Sequence, residues 1–186
     1  MASIREGSKK ALVIVDAQVG VLAETWEAER IIENIGRAVK RARANNVPVI
    51  WVQHDDDELI YDSPEWQLAP GLAPREGEPV IHKHYNSSFE ETTLDETLGD
   101  LETSHIILGG AATNWCVRAT AYGALDRGYD LTLLKDAHTT ESMEFQGGYV
   151  IEAESIVTDL NTVMRWVSYP GRSSSASEVD EVEFTS

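Results

Sequence analysis

Short runs of aliphatic and β-branched residues alternate with amphipathic stretches along most of this chain. ALVIVDA at 11–17 and VPVIWVQ at 47–53 have the composition of strands, and apolar residues recur every three or four positions between 27 and 45. A strand, a helix and a second strand in succession form a βαβ unit, whose strands are parallel. The sequence therefore predicts an α/β fold in three layers, with helices on both faces of a mostly parallel, Rossmann-like sheet.

Later segments continue this alternation. Strands are predicted at 79–82, 105–108 and 129–134, and helices at 113–127 and within 148–167, which gives a sheet of five or six strands. Residues 54–79 contain four of the six prolines and no sustained period, so they are predicted to form a long loop. One domain is expected over residues 10–168. The serine-rich, acidic segment 170–186 is expected to be a disordered tail.

The net charge of the chain limits the classes of molecule that we expect it to bind. A formal net charge of -17, from 32 acidic and 15 basic residues, disfavours binding to nucleic acid or to an anionic membrane. No apolar run approaches the roughly 20 residues that cross a bilayer, and the N-terminus lacks the apolar core of a signal peptide. We expect a cytoplasmic protein that acts on a small molecule.

The only cysteine, Cys116, lies in the segment HIILGGAATNWCVRATAYGALDRG. This segment is predicted to form a strand, a turn of small residues and a helix that has Cys116 near its start. Cys116 would then lie at the edge of a parallel sheet where ligands bind. Helix N–H groups and the helix dipole there would favour a thiolate and could hold an oxyanion. The alternative is a buried cysteine that only packs.

Two charged residues are predicted to end strands at the same edge of the sheet. Asp16 ends ALVIVDA, and Lys83 follows PVIH. If they meet Cys116, Asp16 can act as a general base, and Lys83 can hold Asp16 ionised and favour the thiolate. The alternatives are an aspartate that caps a turn and a lysine that is solvated.

Four segments together carry a family resemblance: LVIVDAQ, VIHKHYNSSF, GGAATNWCVRATAYGALDRGYD and LLKDAHTT. In this order, over roughly residues 10–167, they resemble the isochorismatase-like cysteine hydrolase superfamily, which includes nicotinamidases and N-carbamoylsarcosine amidohydrolase. The resemblance implies an Asp–Lys–Cys triad at Asp16, Lys83 and Cys116 on a Rossmann-like three-layer fold. It also implies a cis peptide at Ala111–Ala112, with the N–H groups of Ala112 and Cys116 as an oxyanion hole.

Isochorismatases proper lack the nucleophilic cysteine of this superfamily. The resemblance therefore implies hydrolysis of a C–N bond in a small amide, lactam or carbamoyl compound, through a thioester on Cys116 and without a cofactor. It also implies a homo-oligomer, either a dimer or a tetramer. Two other functions stay open: a non-catalytic binding protein on the same fold, and a vinyl-ether hydrolase of isochorismatase type that does not need Cys116.

Several residues near these motifs are candidate substrate contacts. They are Gln18, His54, Asn86, Phe89 and Trp115, with Trp51 and Trp66 as further aromatic walls, although each aromatic residue could equally be part of the core. HDDDELIYDSPEWQL resembles a branch that includes streptothricin hydrolases, which open a lactam.

A metal site is not predicted. Nicotinamidases of the superfamily bind a metal through an Asp-x-His spacing, which WVQHDDDELIYD does not reproduce. The remaining candidate ligands are His54, His82 and His84, and no spacing on one helix face supports them.

Overall fold

A computed structural model describes residues 4–185. The strands are β1 Lys9–Val15, β2 Val49–His54, β3 Val80–Lys83, β4 Thr103–Ala111, β5 Asp130–Thr139, β6 Met143–Phe145, β7 Tyr149–Ile151 and β8 Ser174–Ser177. The helices are α1 Val19–Leu22, α2 Ala28–Ala44, α3 Leu94–Asp100, α4 Arg118–Asp126 and α5 Ala153–Trp166, and a π-helical turn spans Thr113–Val117.

The central sheet has six parallel strands in the order β3-β2-β1-β4-β5-β8, and β6 and β7 form a separate antiparallel pair. With β8 as the sixth strand, this is the strand order of a Rossmann fold. Helix α2 packs on one face of the sheet, while α3, α4 and α5 pack on the other. The predicted three-layer α/β fold and its number of strands are confirmed.

Helix α2 shows why the apolar spacing was informative. Its buried apolar side chains recur at three- and four-residue steps: Ile31, Ile35, Ala38, Val39 and Ala42. These residues form one stripe that packs against the sheet, and the charged residues lie outside it. The observed helix agrees with the prediction to within one residue at each end. No helix in the described part of the chain is long and apolar enough to cross a membrane.

The end of the chain corrects the prediction of a disordered tail. Ser174–Ser177 pairs with β5, and three side chains beyond it are buried: Val179, Val182 and Phe184. Arg41 of α2 donates to the carbonyl oxygen of Val182 at 3.0 Å. The average composition of this segment did not reveal the three apolar residues, which bury enough surface to hold the segment on the sheet. The domain therefore extends well beyond residue 168.

Candidate active site

Two glycines bring the end of β4 unusually close to its neighbours. Gly110 has a φ of +127°, and a Cβ on it would lie 1.9 Å from the carbonyl oxygen of Val15. A Cβ on Gly109 would lie 2.9 Å from the carbonyl oxygen of Ala137. Only glycine allows this approach. It places the turn after β4 directly beside Asp16, the residue that follows β1.

Asp16, Lys83 and Cys116 come together at the carboxyl edge of the sheet. The Lys83 ammonium donates to Oδ2 of Asp16 at 2.7 Å and to Sγ of Cys116 at 3.3 Å. Asp16 and Lys83 are each 1% exposed, and Cys116 is 9% exposed. Asp16 has a φ of +47°, in the left-handed region, so the chain turns sharply as it leaves β1. The three residues therefore form one buried cluster.

Burial dominates the electrostatics of this cluster. Burial raises the pKa of Asp16 above 3.8, against the opposing effect of Lys83. Burial, followed by the nearby Asp16 carboxylate, raises the pKa of Cys116 to about 12, and Lys83 again opposes the change. Lys83 thus favours the thiolate, as expected, but burial outweighs it and favours the protonated thiol.

One carboxylate oxygen of the cluster is free to accept a proton. Oδ1 of Asp16 is buried and has no hydrogen-bond partner within residues 4–185. A buried acceptor without a partner is costly, and such exceptions concentrate at functional sites. The carboxylate that interacts with the Cys116 thiol therefore keeps one oxygen free of other bonds.

The backbone around Cys116 departs from a regular helix start. The peptide bond Ala111–Ala112 is cis, as the resemblance implied. Cys116 lies in the π-helical turn, where the N–H groups of Trp115 and Val117 both donate to the carbonyl oxygen of Ala112, at 3.1 and 3.2 Å. Ala112 and Cys116, the two predicted oxyanion-hole residues, thus lie on either side of one tight turn.

Gln18 and Phe89 have structural partners. The Gln18 amide donates to the carbonyl oxygens of His54 and Trp66, at 2.9 and 2.8 Å, and accepts from the His54 N–H at 2.8 Å. It holds the long loop against β2. Phe89 is buried and stacks on Tyr129 with ring centroids 6.1 Å apart. Their predicted contact with substrate stays a prediction.

The other candidate contacts differ in exposure. Trp115 is 52% exposed, and Asn86 is also exposed. His54 is partly buried: its Nε2 lies 3.0 Å from Oδ2 of Asp56, while its Nδ1 is buried and unpaired in the described chain. Two further tryptophans are buried: Trp51, which donates to Glu78 at 2.9 Å, and Trp66, which stacks on His82.

An acidic cleft borders this edge of the sheet. It consists of two cavities of about 420 and 320 Å³ that share Gly20 and Val21; the first is also lined by Ala112 and the second by His54. Five carboxylate residues line the cleft: Glu24, Asp56, Glu58, Glu65 and Glu141. Neither cavity has a lysine or arginine among its described lining residues. A third cavity of about 420 Å³, elsewhere, is lined by Lys40, Arg43 and Arg75, so acidity is not uniform over the surface.

The three candidate metal ligands have separate partners. His54 contacts Asp56, Nδ1 of His84 lies 3.2 Å from Asp55, and His82 stacks on Trp66. Among the residues that the structure describes, no group of three histidine, cysteine, aspartate or glutamate side chains is arranged to hold a metal ion.

The sequence analysis missed one buried histidine. His138 is fully buried and contacts Thr113, the first residue of the turn that carries Cys116. The signal was present in LLKDAHTT, which the resemblance included without a role for its last three residues.

The fold and the site define an α/β protein with a buried cysteine, flanked by an ion pair, at the carboxyl edge of a Rossmann-ordered sheet. The isochorismatase domain family matches residues 10–161 of this chain. The chain belongs to this family of hydrolases.

Similar proteins include amide hydrolases. A streptothricin hydrolase of Streptomyces noursei is 32% identical over 138 residues, which cover 70% of this chain and 54% of that protein. The ureidoacrylate amidohydrolase RutB of Klebsiella pneumoniae is 27% identical over 202 residues, which cover 86% of this chain and 83% of that protein. The crystal structure of an isochorismatase from Pseudomonas putida superposes with a TM-score of 0.83 at 30% identity, covering 95% of this chain and 93% of that one. The matched region thus spans about half of the streptothricin hydrolase.

Proposed function

We propose that this isochorismatase-family hydrolase cleaves the C–N bond of a small amide, lactam or carbamoyl compound through a thioester on Cys116. The observation that carries the proposal is the buried contact of Lys83 with both Asp16 and Cys116. A packing cysteine does not require a buried ion pair, which is costly to remove from water. A nucleophile and a base require such an arrangement.

Attack begins with the protonated thiol. Asp16 takes the S–H proton while Sγ bonds to the carbonyl carbon, and the C=O electron pair moves onto oxygen. Because burial raises the pKa of Asp16, this carboxylate is a stronger base than an exposed aspartate. The N–H groups of Ala112 and Cys116 stabilise the developing oxyanion.

The intermediate then collapses. The C–N bond breaks, the departing amine takes the proton from Asp16, and the acyl group remains on Cys116 as a thioester. Water attacks the thioester and gives a proton to Asp16, and the carboxylic acid product leaves as the thiol is restored. Lys83 keeps its contact with both groups throughout and offsets the negative charge in a buried site of low dielectric.

The acidic cleft narrows the class of substrate. Five carboxylates around the two cavities repel an anion and attract a cation, so we infer a neutral or positively charged amide. Ureidoacrylate, the substrate in the name of RutB, carries a carboxylate and does not suit this cleft. His54, with its unpaired Nδ1, and the exposed Trp115 and Asn86 are the contacts that we propose for the substrate.

A substrate panel tests the proposal. Ammonia or amine release is measured over neutral, cationic and anionic amides, lactams and carbamoyl compounds, with the native protein, Cys116→Ala and Cys116→Ser. We expect release by the native protein alone. Equal release by Cys116→Ala would reject the thiol mechanism and favour chemistry of isochorismatase type. Binding of panel compounds without any release would favour a binding protein.

A further inference from the structure

The end of β5 pairs with the end of β4, just before the turn that carries Cys116. Between the pairs Leu108↔Leu133 and Gly110↔His138, β4 advances two positions while β5 advances five, so β5 bulges. The bulge brings His138 opposite Gly110 and Thr139 opposite Ala111, at the start of the cis peptide. Residues 138–140 therefore lie beside the start of the turn that carries Cys116. We call them the β5 clamp.

The hydrogen bonds of His138 define its tautomer. Nδ2 of Asn161, on α5, donates to the carbonyl oxygen of Lys135 at 3.1 Å, so Oδ1 of Asn161 is the acceptor that lies 3.0 Å from Nε2 of His138. Nε2 therefore carries the proton, and Nδ1 accepts from the hydroxyl of Thr113 at 2.8 Å. Burial lowers the pKa of His138 to about 4, so the ring is neutral and this arrangement persists at neutral pH.

The last residue of the clamp holds the next position of the turn. The Thr140 hydroxyl donates to Oδ1 of Asn114 at 2.6 Å, and Nδ2 of Asn114 contacts Sδ of Met143 at 3.2 Å. Thr113 and Asn114 are thus both fixed by side chains of the clamp, three and two positions before Cys116. Cys116 itself contacts Lys83 and Asp16, and these contacts do not involve a side chain of the clamp.

We propose that His138 and Thr140 are positioning residues that hold the π-helical turn so that Cys116 stays between Asp16 and Lys83. This proposal rests on the proposed role of Cys116 as the nucleophile. Without the clamp, residues 113 and 114 are free to move, and Cys116 leaves its buried contact with the ion pair. A displacement of about 1 Å at a reacting group is enough to slow a reaction by about a hundredfold.

Alkylation of Cys116 tests the proposal without a substrate. Because the chain has a single cysteine, iodoacetamide reports on Cys116 alone. At about pH 8 we expect alkylation to be about tenfold faster or more in His138→Leu, Thr113→Val and Thr140→Val, because a displaced thiol is more hydrated and each unit by which its pKa falls raises the thiolate fraction tenfold. His138→Gln can accept from Thr113 and donate to Asn161, so it should keep the native rate. For the amide that the panel identifies, kcat should fall in the first three variants with little change in KM.

The chain offers a matched control on the same two strands. Nε2 of His105 lies 2.8 Å from the hydroxyl of Thr132 at the opposite end of β4 and β5. His105→Leu removes a similar, partly buried histidine–threonine bond far from Cys116, so it should lower thermal stability without faster alkylation.

The outcomes separate this proposal from the proposed function. Native alkylation rates in folded Thr113→Val and His138→Leu would overturn it, as would equal acceleration in His105→Leu. If His138→Leu does not fold, Thr113→Val, which lacks only one hydroxyl, decides the matter. If the native protein hydrolyses nothing while the clamp variants still expose Cys116, the proposed function fails and the clamp stands.

Discussion

The Lys83 ammonium lies 2.7 Å from a carboxylate oxygen of Asp16, and both side chains are almost completely buried. A pair of this kind constrains the protein strongly, because removing one member leaves the other as an uncompensated charge in the interior. The same pair also acts on the thiol beside it, because Asp16 raises the pKa of Cys116 and Lys83 lowers it. Stability and reactivity at this edge of the sheet are therefore linked.

Replacing one member of the ion pair should destabilise the protein more than replacing both members with uncharged residues. We expect Lys83→Met to lower the free energy of unfolding by about 3–5 kcal/mol, because Asp16 is left alone in the core. The double variant Asp16→Asn/Lys83→Met should recover part of this loss. Urea denaturation at neutral pH measures both values. A double variant as unstable as the sum of the two single variants would show that the two groups are not coupled.

The approach of β4 to β1 should tolerate only glycine at residue 110. Gly110→Ala should lower the free energy of unfolding by more than about 3 kcal/mol, because the new methyl group meets the carbonyl of Val15 and residue 110 has a positive φ. Gly99→Ala, with nothing within 4 Å of the new Cβ, is the control and should stay within about 1 kcal/mol of the native protein. Chemical denaturation compares the two. Equal stability would contradict the observed contact.

The pH dependence of hydrolysis should report on Asp16. Only the ionised carboxylate accepts the thiol proton, so activity should be lost as the pH falls through the pKa of Asp16 in the folded protein. Burial raises this pKa above 3.8, so the midpoint of the acid limb of kcat/KM should lie above 3.8. A pH–rate profile with the substrate from the panel measures it. Full activity maintained well below pH 3.8 would show that Asp16 is not the base.

The acidic cleft should select substrates by charge. Replacing Glu58 and Glu65 together by glutamine should raise KM for a cationic amide and lower KM for an anionic analogue, with little change in kcat. Added salt should weaken the preference of the native protein in the same direction. Glu33→Gln, on the exposed side of α2, is the control for net charge. Equal effects of the double variant on KM for both amides would count against electrostatic selection.

The sequence predicted the parts of the fold that depend on local periodicity. The stripe of α2 and the aliphatic runs of β1 and β2 indicated their own positions, and the charged residues at strand ends indicated where the strands stop. Family resemblance supplied the cis peptide at Ala111–Ala112. These features depend on residues that are close together in the chain.

The remaining features depend on distant partners. Strand β8 forms because the edge of β5 offers unpaired backbone groups, which the composition of residues 174–177 does not reveal. Similarly, the raised pKa of Cys116 results mainly from burial by residues far away in sequence, whereas the helix start alone suggested a thiolate. The hydrogen bonds by which Gln18 holds the long loop depend on His54 and Trp66, which are 36 and 48 residues away in sequence.

The central claim is that Cys116 carries the acyl group during turnover. Rapid acid quench of the native protein with the substrate from the panel, followed by intact-mass and peptide mass spectrometry, measures this directly. The account predicts an added mass equal to the acyl group, located on Cys116, removed by hydroxylamine and absent in Cys116→Ala. Steady turnover with no adduct on Cys116 at any quench time, and with undiminished activity in Cys116→Ala, would contradict it.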